Sequence, residues 1–570
     1  RQCSHSCWVR PAMSSRLQNF LLTAAFSLLF CHGLFCYGAA EALSLSEIRG
    51  PRIEELSMLI IANPDAQIMA AEAGEIDIIS DIGRPSDIRR LSAGKKLNMS
   101  LARGFHAFFL VLNNTVSPWN NPAVRRAAAM SIDRNAIVRM VFSGYCEPIN
   151  SWLPPVSPWA LPDSNEDIYN PAAAQALLAK HGYKKDITGF LTDSEGKRLP
   201  VIKLLTPLAR VAPTTAELAG LMADSLRAAG FPAEAEPIDF STMIAKMDRK
   251  EYSAAVLAWS MGVTPSSLYS FYHSSMSVEG GYNISGIKDQ RLDRALEQLR
   301  FAPDKAAAQK ASETSQRLLL ELMPTIPVYS RISVAGVSKR WKNVFATDKM
   351  TADNLWTYLT IEPADGKKRP LVTILPEEPR SLNPLTASTA YAWQVLGMIY
   401  ETMLGTDPET LENMPSLAES WKVETKGKGK NSHTELSFRL KKGLLWNDGT
   451  RLTARDIKAT ADFLRENKIP RFFDSVKAIT KVEATDERTL KFTMNGVSYW
   501  YLNDIGGLPC MPEKVIKGIK NWQSWNPLDK KSDGPYGLVG TGPFVLKDYK
   551  AGEYVTMKRN PHFRLLEGLK

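Results

Sequence analysis

Cysteine is scarce in this chain. Of 570 residues 6 are cysteine, and Cys3, Cys7, Cys31 and Cys36 fall within the first 42 positions. Beyond them stand Cys146 and Cys510, one in each half, which is too few for a disulfide framework; two separate buried thiols are expected. Histidine is sparse too. His106, His181, His273, His433 and His562 show no spacing that would bring imidazoles onto one metal, so no metal site is expected. The sequence has no G-x-S-x-G, H-E-x-x-H, phosphate-binding loop or G-x-G-x-x-G, which removes the recognisable hydrolase, metalloprotease and nucleotide-binding classes. Neither a cofactor nor an enzymatic activity is expected. The formal charge of +10 is modest for this length, and part of it lies in loop-like runs such as Lys367, Lys368 and Arg369, or Lys426, Lys428 and Lys430. Without an Arg-rich helix or aromatic residues interleaved with basic ones, nucleic acid is not an expected partner.

What is present is a hydrophobic content of 44% and a charged content of 23%, ordinary for a globular protein long enough to bury several cores. The apolar run at 20–35 follows Met13 and Arg16, and Ala40–Glu41–Ala42 offers an A-x-A cleavage pattern. Residues 13–42 are therefore expected to be a secretory signal peptide cut near Ala42. The remaining chain alternates short apolar strands with amphipathic helices, which argues for an α/β fold. Strands are expected at 56–62, 75–80, 105–112, 254–259, 325–334, 354–362, 371–375, 436–440, 482–484 and 489–494. Asn121 with Pro122, Asp133, Asn170 with Pro171, and Thr453 with Asp456 read as helix starts. Further helices are expected at 65–73, 214–229, 290–302, 305–322 and 390–404. Residues 363–370 (PADGKKRP) form the clearest linker.

Several motifs together resemble one family. "LPEEPRSLNPL" (375–385), "IYETMLGTDPETLENMPSLAESWKV" (399–423), "SFRLKKGLLWNDGTRLTARDIKATADFL" (437–464) and "GTGPFVLKDYKAGEYVTMKRNPHF" (540–563) are similar to the beginning of bacterial extracellular solute-binding proteins of the peptide/nickel type. "NNPAVRRAAAMSIDRNAIVRMVFSG" (120–144), "YNPAAAQALLAKHGY" (169–183) and "MPTIPVYSR" (323–331) are similar to the later part of the same proteins, yet here they come first. The resemblance implies a two-lobe periplasmic binding protein fold with a hinge, type II-like, with its halves in circularly permuted or truncated tandem order. Residues 43–362 would hold the lobe that comes second in that family, with returning hinge strands, and 371–570 the lobe that comes first there. The implied role is an exported, periplasmic, monomeric binding protein. It would close on a peptide-like or other small solute and deliver it to the membrane permease of an ABC importer. An oligosaccharide or other organic solute is the alternative, as is a tandem module without a complete cleft.

The same resemblance supplies the candidate site. In "VLAWSMGVTPSSLYSFYHSS" (256–275), Trp259 fits the family's tryptophan, and Ser260 and Met261 fit positions that touch the ligand backbone. Gly262 falls where peptide binders carry the aspartate that pairs with the peptide amine. That acid is missing, leaving Glu377 or Glu378 to take its role, because a buried unpaired ammonium is costly. Tyr329, Arg331, Glu378 and Arg380 are carried over as further cleft residues, Arg331 as a partner for a carboxylate. Trp500 and Tyr501 read either as an aromatic wall or as core.

Overall fold

The computed structural model describes residues 45–162, 168–210, 212–278, 281–379, 381–387, 389–530 and 537–569. Residues 49–570 form one compact unit and residues 1–48 another, of which the 3-10 turn Leu45–Glu47 is described. The apolar run at 20–35 and the expected cleavage near Ala42 lie outside the described residues.

Within 49–570 two lobes are built on different sheets. The first carries a seven-stranded mixed sheet in the order Ile78–Ile79, Thr325–Ser338, Leu97–Leu112, Ala254–Ser260, Ile202–Pro207, Ala233–Ile238, with Cys146–Pro148 paired to Thr325–Ser338. Helices cover it because the sequence starts them where expected. The side chain of Asn121 accepts from Ala123 N at 2.9 Å, Asp133 from Ala136 N at 2.8 Å and Asn170 from Ala173 N at 2.9 Å. Their apolar faces, with those of Pro213–Ala229, Gln290–Arg300 and Lys305–Leu322, bury one core around Phe109, Trp119, Trp152, Leu204, Met222, Leu296 and Leu319.

The second lobe has two four-stranded sheets. One runs Leu371–Leu375, Glu55–Ile60, Tyr554–Arg559, Phe544–Lys550, and the other Ala418–Lys426, His433–Leu440, Thr489–Asn495, Ile479–Ala484. In the former, Glu55–Ile60 pairs in parallel with Leu371–Leu375 and antiparallel with Tyr554–Arg559. A strand from the start of the fold thus lies between one that follows the 363–370 segment and one from the chain's far end. Ile53, Leu56 and Met58 share one core with Trp341, Tyr358, Ile361, Leu371, Phe438 and Met557. Thr453 and Asp456 form the expected capping box, with Thr453 N donating to Asp456 Oδ2 at 2.8 Å.

Asp77 joins the two lobes at the hinge. Its N–H donates to Val372 O at 2.7 Å, its carboxylate accepts from Val372 N at 3.0 Å, and its carbonyl accepts from Ser338 N at 2.7 Å. Arg340 completes the arrangement 2.6 Å from the buried carboxylate. A third apolar cluster beside it, including Ile68, Ile79, Ile82, Met99, Val334 and Ile374, draws residues from both sheets.

Two sequence expectations fail for identifiable reasons. Residues 354–362, expected as a strand, form the helix Leu355–Thr360, because the Asn354 side chain accepts from Thr357 N at 2.9 Å and starts a turn. The helix expected over 390–404 stops at Leu396. Beyond it the carbonyls of Met398 and Ile399 accept from Phe544 N (3.1 Å) and Gly542 N (2.8 Å), so this backbone is taken up by pairing with another segment. The approach is close: a Cβ on Gly540 would lie 2.0 Å from Ile399 O. Cys146 and Cys510 are separate, buried and free.

Candidate functional site

The strands Leu97–Leu112 and Ala254–Ser260 run antiparallel, with Trp259 opposite Ala107 and Ser260 opposite His106. Pairing continues one residue past the strand, where Met261 N donates to Phe105 O at 2.8 Å. This fixes the turn that begins at Gly262. Trp259 is half-buried, with its ring 5.2 Å from Phe109 and 5.1 Å from Phe271. Met261 is buried and Gly262 exposed. A Cβ at Gly262 would meet nothing closer than 3.9 Å, so sterics do not demand glycine there.

The next strand inward, Thr325–Ser338, carries Tyr329 and Arg331. Tyr329 is buried, stacked on Phe108 at 4.2 Å and tilted against Phe142 at 4.4 Å, so it supports the sheet from within. Burial pushes its hydroxyl pKa well above the usual value. A register shift between Ser330 and Ile332 turns Arg331 toward residues 81–83. Its Nη2 donates to the Asp81 carbonyl at 3.0 Å and lies 4.0 Å from Asp81 Oδ1. Gly83 makes room for it, since a Cβ there would stand 2.8 Å from Nη2.

These groups face the second lobe. Tyr391 packs on that lobe's core, and its hydroxyl pKa is raised by desolvation, then by the charges of Asp81 and Glu377, with Arg331 opposing. His106 is held below its ordinary value chiefly by desolvation, with Asp81 raising and Arg331 lowering it. Its ring is nevertheless open to solvent. Asp353 is likewise raised by desolvation, offset by hydrogen bonds from Ser80 and Tyr358.

The structure therefore brings Trp259, Met261, Gly262 and Arg331 to one region of the first lobe, with Ser260 in register opposite His106. Glu378 is placed otherwise. It accepts from the Tyr549 hydroxyl and from Gly552 N, which ties it to the turn of its own lobe's Phe544–Arg559 hairpin. Arg380 lies outside the described residues. Trp500, with Tyr499 beside it, packs in the first lobe's core although the strand before and the helix after belong to the second, and the Tyr501 hydroxyl donates to Asn495 O at 2.8 Å. Asp81, His106 and Tyr391 were not singled out from sequence. Their signal is spatial, because Asp81 and Arg331 are 250 positions apart. Among the described residues no group of three or more His, Cys, Asp or Glu is placed to hold a metal ion, and no helix is long and apolar enough to cross a membrane.

Two α/β lobes, each with its own sheets and core and joined through Asp77, define a two-lobe architecture. The sequence profile of the bacterial extracellular solute-binding proteins, family 5 Middle, matches residues 48–279 and 412–568, and the chain belongs to that family. It is 24% identical over 276 residues to the Di/tripeptide-binding protein 1 of Pseudomonas aeruginosa, spanning 48% of this chain and 49% of that protein. It is also 24% identical over 292 residues to the Heme-binding protein A of Haemophilus influenzae, spanning 51% of each. The chain thus spans about half the length of these relatives. Among solved structures it is similar to the oligopeptide-binding protein AppA from Bacillus subtilis in complex with a nonapeptide. That match has 20% identity and a TM-score of 0.46, covering 53% of this chain and 59% of the other.

Proposed function

We propose that the chain is an exported solute-binding protein, not an enzyme, which captures a peptide-like solute by closure of its two lobes and delivers it to the permease of an ABC importer. Family membership supports the class, and one structural observation carries the solute reading. The wall formed by Trp259–Gly262 ends beside a cation, Arg331, and a carboxylate, Asp81, whose charges also reach Tyr391 on the facing lobe. An apolar aromatic surface with a few convergent polar groups is the usual composition of a small-solute site. Closure about a hinge such as that at Asp77 would enclose the solute and strengthen each polar contact by excluding water. We read the order of the halves as permuted, which the insertion of Glu55–Ile60 between Leu371–Leu375 and Tyr554–Arg559 supports.

The test is native mass spectrometry of the protein purified from its own host, followed by calorimetric titration with short peptides and with oligosaccharides. A retained peptide, rebinding at micromolar concentration (about 8 kcal/mol), is the expected result. Retention of an oligosaccharide, or turnover of a solute instead of its retention, would overturn the reading.

A further inference from the structure

We infer that His273 is a pH-operated clamp on the turn behind the Trp259–Gly262 wall: neutral, it holds that turn and the aromatic rings packed against it, and protonated, it releases them and weakens solute binding. The inference rests on the reading of that wall as part of the solute site and adds a regulation to it.

The first argument is which ring nitrogen can take up a proton. His273 follows the helix Ser267–Tyr272 and precedes the 3-10 turn Ser274–Met276, which its side chain caps. Nδ1 accepts from Ser275 N at 3.2 Å and faces the Ser275 hydroxyl at 2.7 Å. A backbone amide cannot reverse its role, so Nδ1 is the bare nitrogen and the hydrogen of the neutral ring sits on Nε2. The side chain is 9% exposed, and among the described residues Nε2 has no hydrogen-bond partner. Glu297 Oε1 lies 3.5 Å from it and Asp293 Oδ1 3.9 Å. A second proton can enter only at Nδ1, where it occupies the lone pair that receives the Ser275 amide. Protonation therefore replaces a cap with an ion pair: the imidazolium is drawn to Asp293 and Glu297, and Ser275 N loses its acceptor. Asp293 holds Ser274 independently, accepting from its N at 2.8 Å and its Oγ at 2.6 Å, so the turn opens from Ser275 onward. The remaining charge on that side is Arg300, stacked 4.4 Å over Tyr269, whose ring in turn stacks on that of His273 at 4.3 Å.

The second argument is what the turn supports. Met276 O accepts from Asn283 N at 3.2 Å, and Asn283 Nδ2 donates to His273 O at 3.1 Å. Tyr282, next to Asn283, meets the Phe271 ring edge-on at 6.0 Å, and Phe271 lies 5.1 Å from Trp259. The cap is thus connected to the wall through Met276, Asn283, Tyr282 and Phe271. Histidine is the side chain whose ordinary titration falls between pH 5 and 8, so this chain of contacts is switched near neutrality. The sign follows from which form binds. A solute that needs the capped form binds a protein carrying fewer protons at His273, so affinity is lost as pH falls through the imidazole's titration.

The experiment compares the full chains of wild type, H273N and H273A at pH 8 and pH 5.5. Asparagine is a strong capping residue that does not titrate, so H273N is the permanently capped form, and H273A is the permanently uncapped one. Hydrogen–deuterium exchange mass spectrometry follows peptides covering 270–278, and calorimetric titration with trialanine and trileucine gives the affinity. Comparing variants at one pH removes the intrinsic pH dependence of exchange and the titration of the other histidines. At pH 8 wild type and H273N should agree. At pH 5.5 the turn should exchange about fivefold faster in wild type than in H273N, and the tripeptides should bind wild type about fivefold more weakly. H273A should exchange fast at both pH values. If wild type and H273N exchange alike at pH 5.5, the clamp is refuted. A spectrum of wild type labelled with nitrogen-15 histidine, with His273 assigned by the signal that H273A lacks, tests the tautomer without relying on H273N: a proton on Nδ1 at pH 8 refutes the clamp as well. If exchange switches while affinity does not, the turn is uncoupled from the wall, and the inference falls while the solute reading stands. If the tripeptides bind at neither pH, the peptide-like reading falls, and the exchange and the tautomer decide the clamp.

Discussion

Trp500 offers the sharpest test of lobe closure. The strand before it and the helix Tyr501–Gly506 after it belong to the second lobe, yet its indole is 4% exposed within the first lobe's core. The ring lies 5.1 Å from Trp159, and Nε1 donates to Leu299 O at 2.7 Å. Its neighbours follow the same route: Tyr499 N donates to Ala302 O at 2.6 Å and Ser498 Oγ to Arg300 O at 2.8 Å. These carbonyls lie at the C-terminal end of Gln290–Arg300, where a helix leaves acceptors without internal partners. Residues 498–500 therefore act as a latch that caps one lobe's helix with the other lobe's loop. Truncating a well-buried tryptophan costs about 3–5 kcal/mol, and an opening that drew the second lobe's loop out of the first lobe's core would expose this ring. W500A should therefore shift the closed–open balance toward open by about 3 kcal/mol, roughly 150-fold. W500F, which keeps most of the buried area but loses the N–H donor, should shift it by about 1 kcal/mol. Small-angle X-ray scattering without solute measures the result: the radius of gyration should rise in W500A, less in W500F, and fall back when solute is added. An unchanged scattering curve for W500A with a lowered melting temperature would show that the loop is ordinary packing, and the latch would be refuted.

Three other outcomes are expected. Arg125 is buried, and burial lowers its pKa to about 10, so it remains a cation that donates to Trp119 O and, at the end of Lys305–Leu322, to Leu322 O and Met323 O; R125M should cost about 3 kcal/mol in denaturant unfolding, and a loss under 0.5 kcal/mol would show that these carbonyls need no capping. Asp456 caps two helices, accepting from Thr453 N and, with its other oxygen, from Glu513 N at 2.8 Å; D456A should lose about 2 kcal/mol, whereas T453A, which spares the contact to Glu513, should lose about half that. Burial raises Asp504 from 3.8 to about 7, with Arg300 opposing; the folded protein then holds a proton that the unfolded chain has released, so this residue removes stability as pH rises from about 4 to 7. D504N should accordingly raise the melting temperature relative to wild type at pH 8 but not at pH 4, and an equal difference at both would refute the assignment.

Local signals in the sequence were reliable where a few neighbouring residues settle the conformation. Asn121, Asp133, Asn170 and the Thr453–Asp456 box start their helices as read, because a cap is decided by its own side chain and the next three amides. The readings failed where a distant partner decides. The helix after Ala390 stops because the carbonyls of Met398 and Ile399 are claimed by residues 542–544, and nothing between 390 and 404 announces that. The candidate site divides along the same line. Trp259–Gly262 was legible as one segment, whereas the charges beside it come from residues 250 positions apart that meet only because the Thr325–Ser338 strand shifts register near Arg331. The sequence also posed a question it could not resolve, since Gly262 stands where an acid was expected and Glu378 is engaged with Tyr549 and Gly552 instead. Space does not require that glycine, as a Cβ would be 3.9 Å from its nearest neighbours.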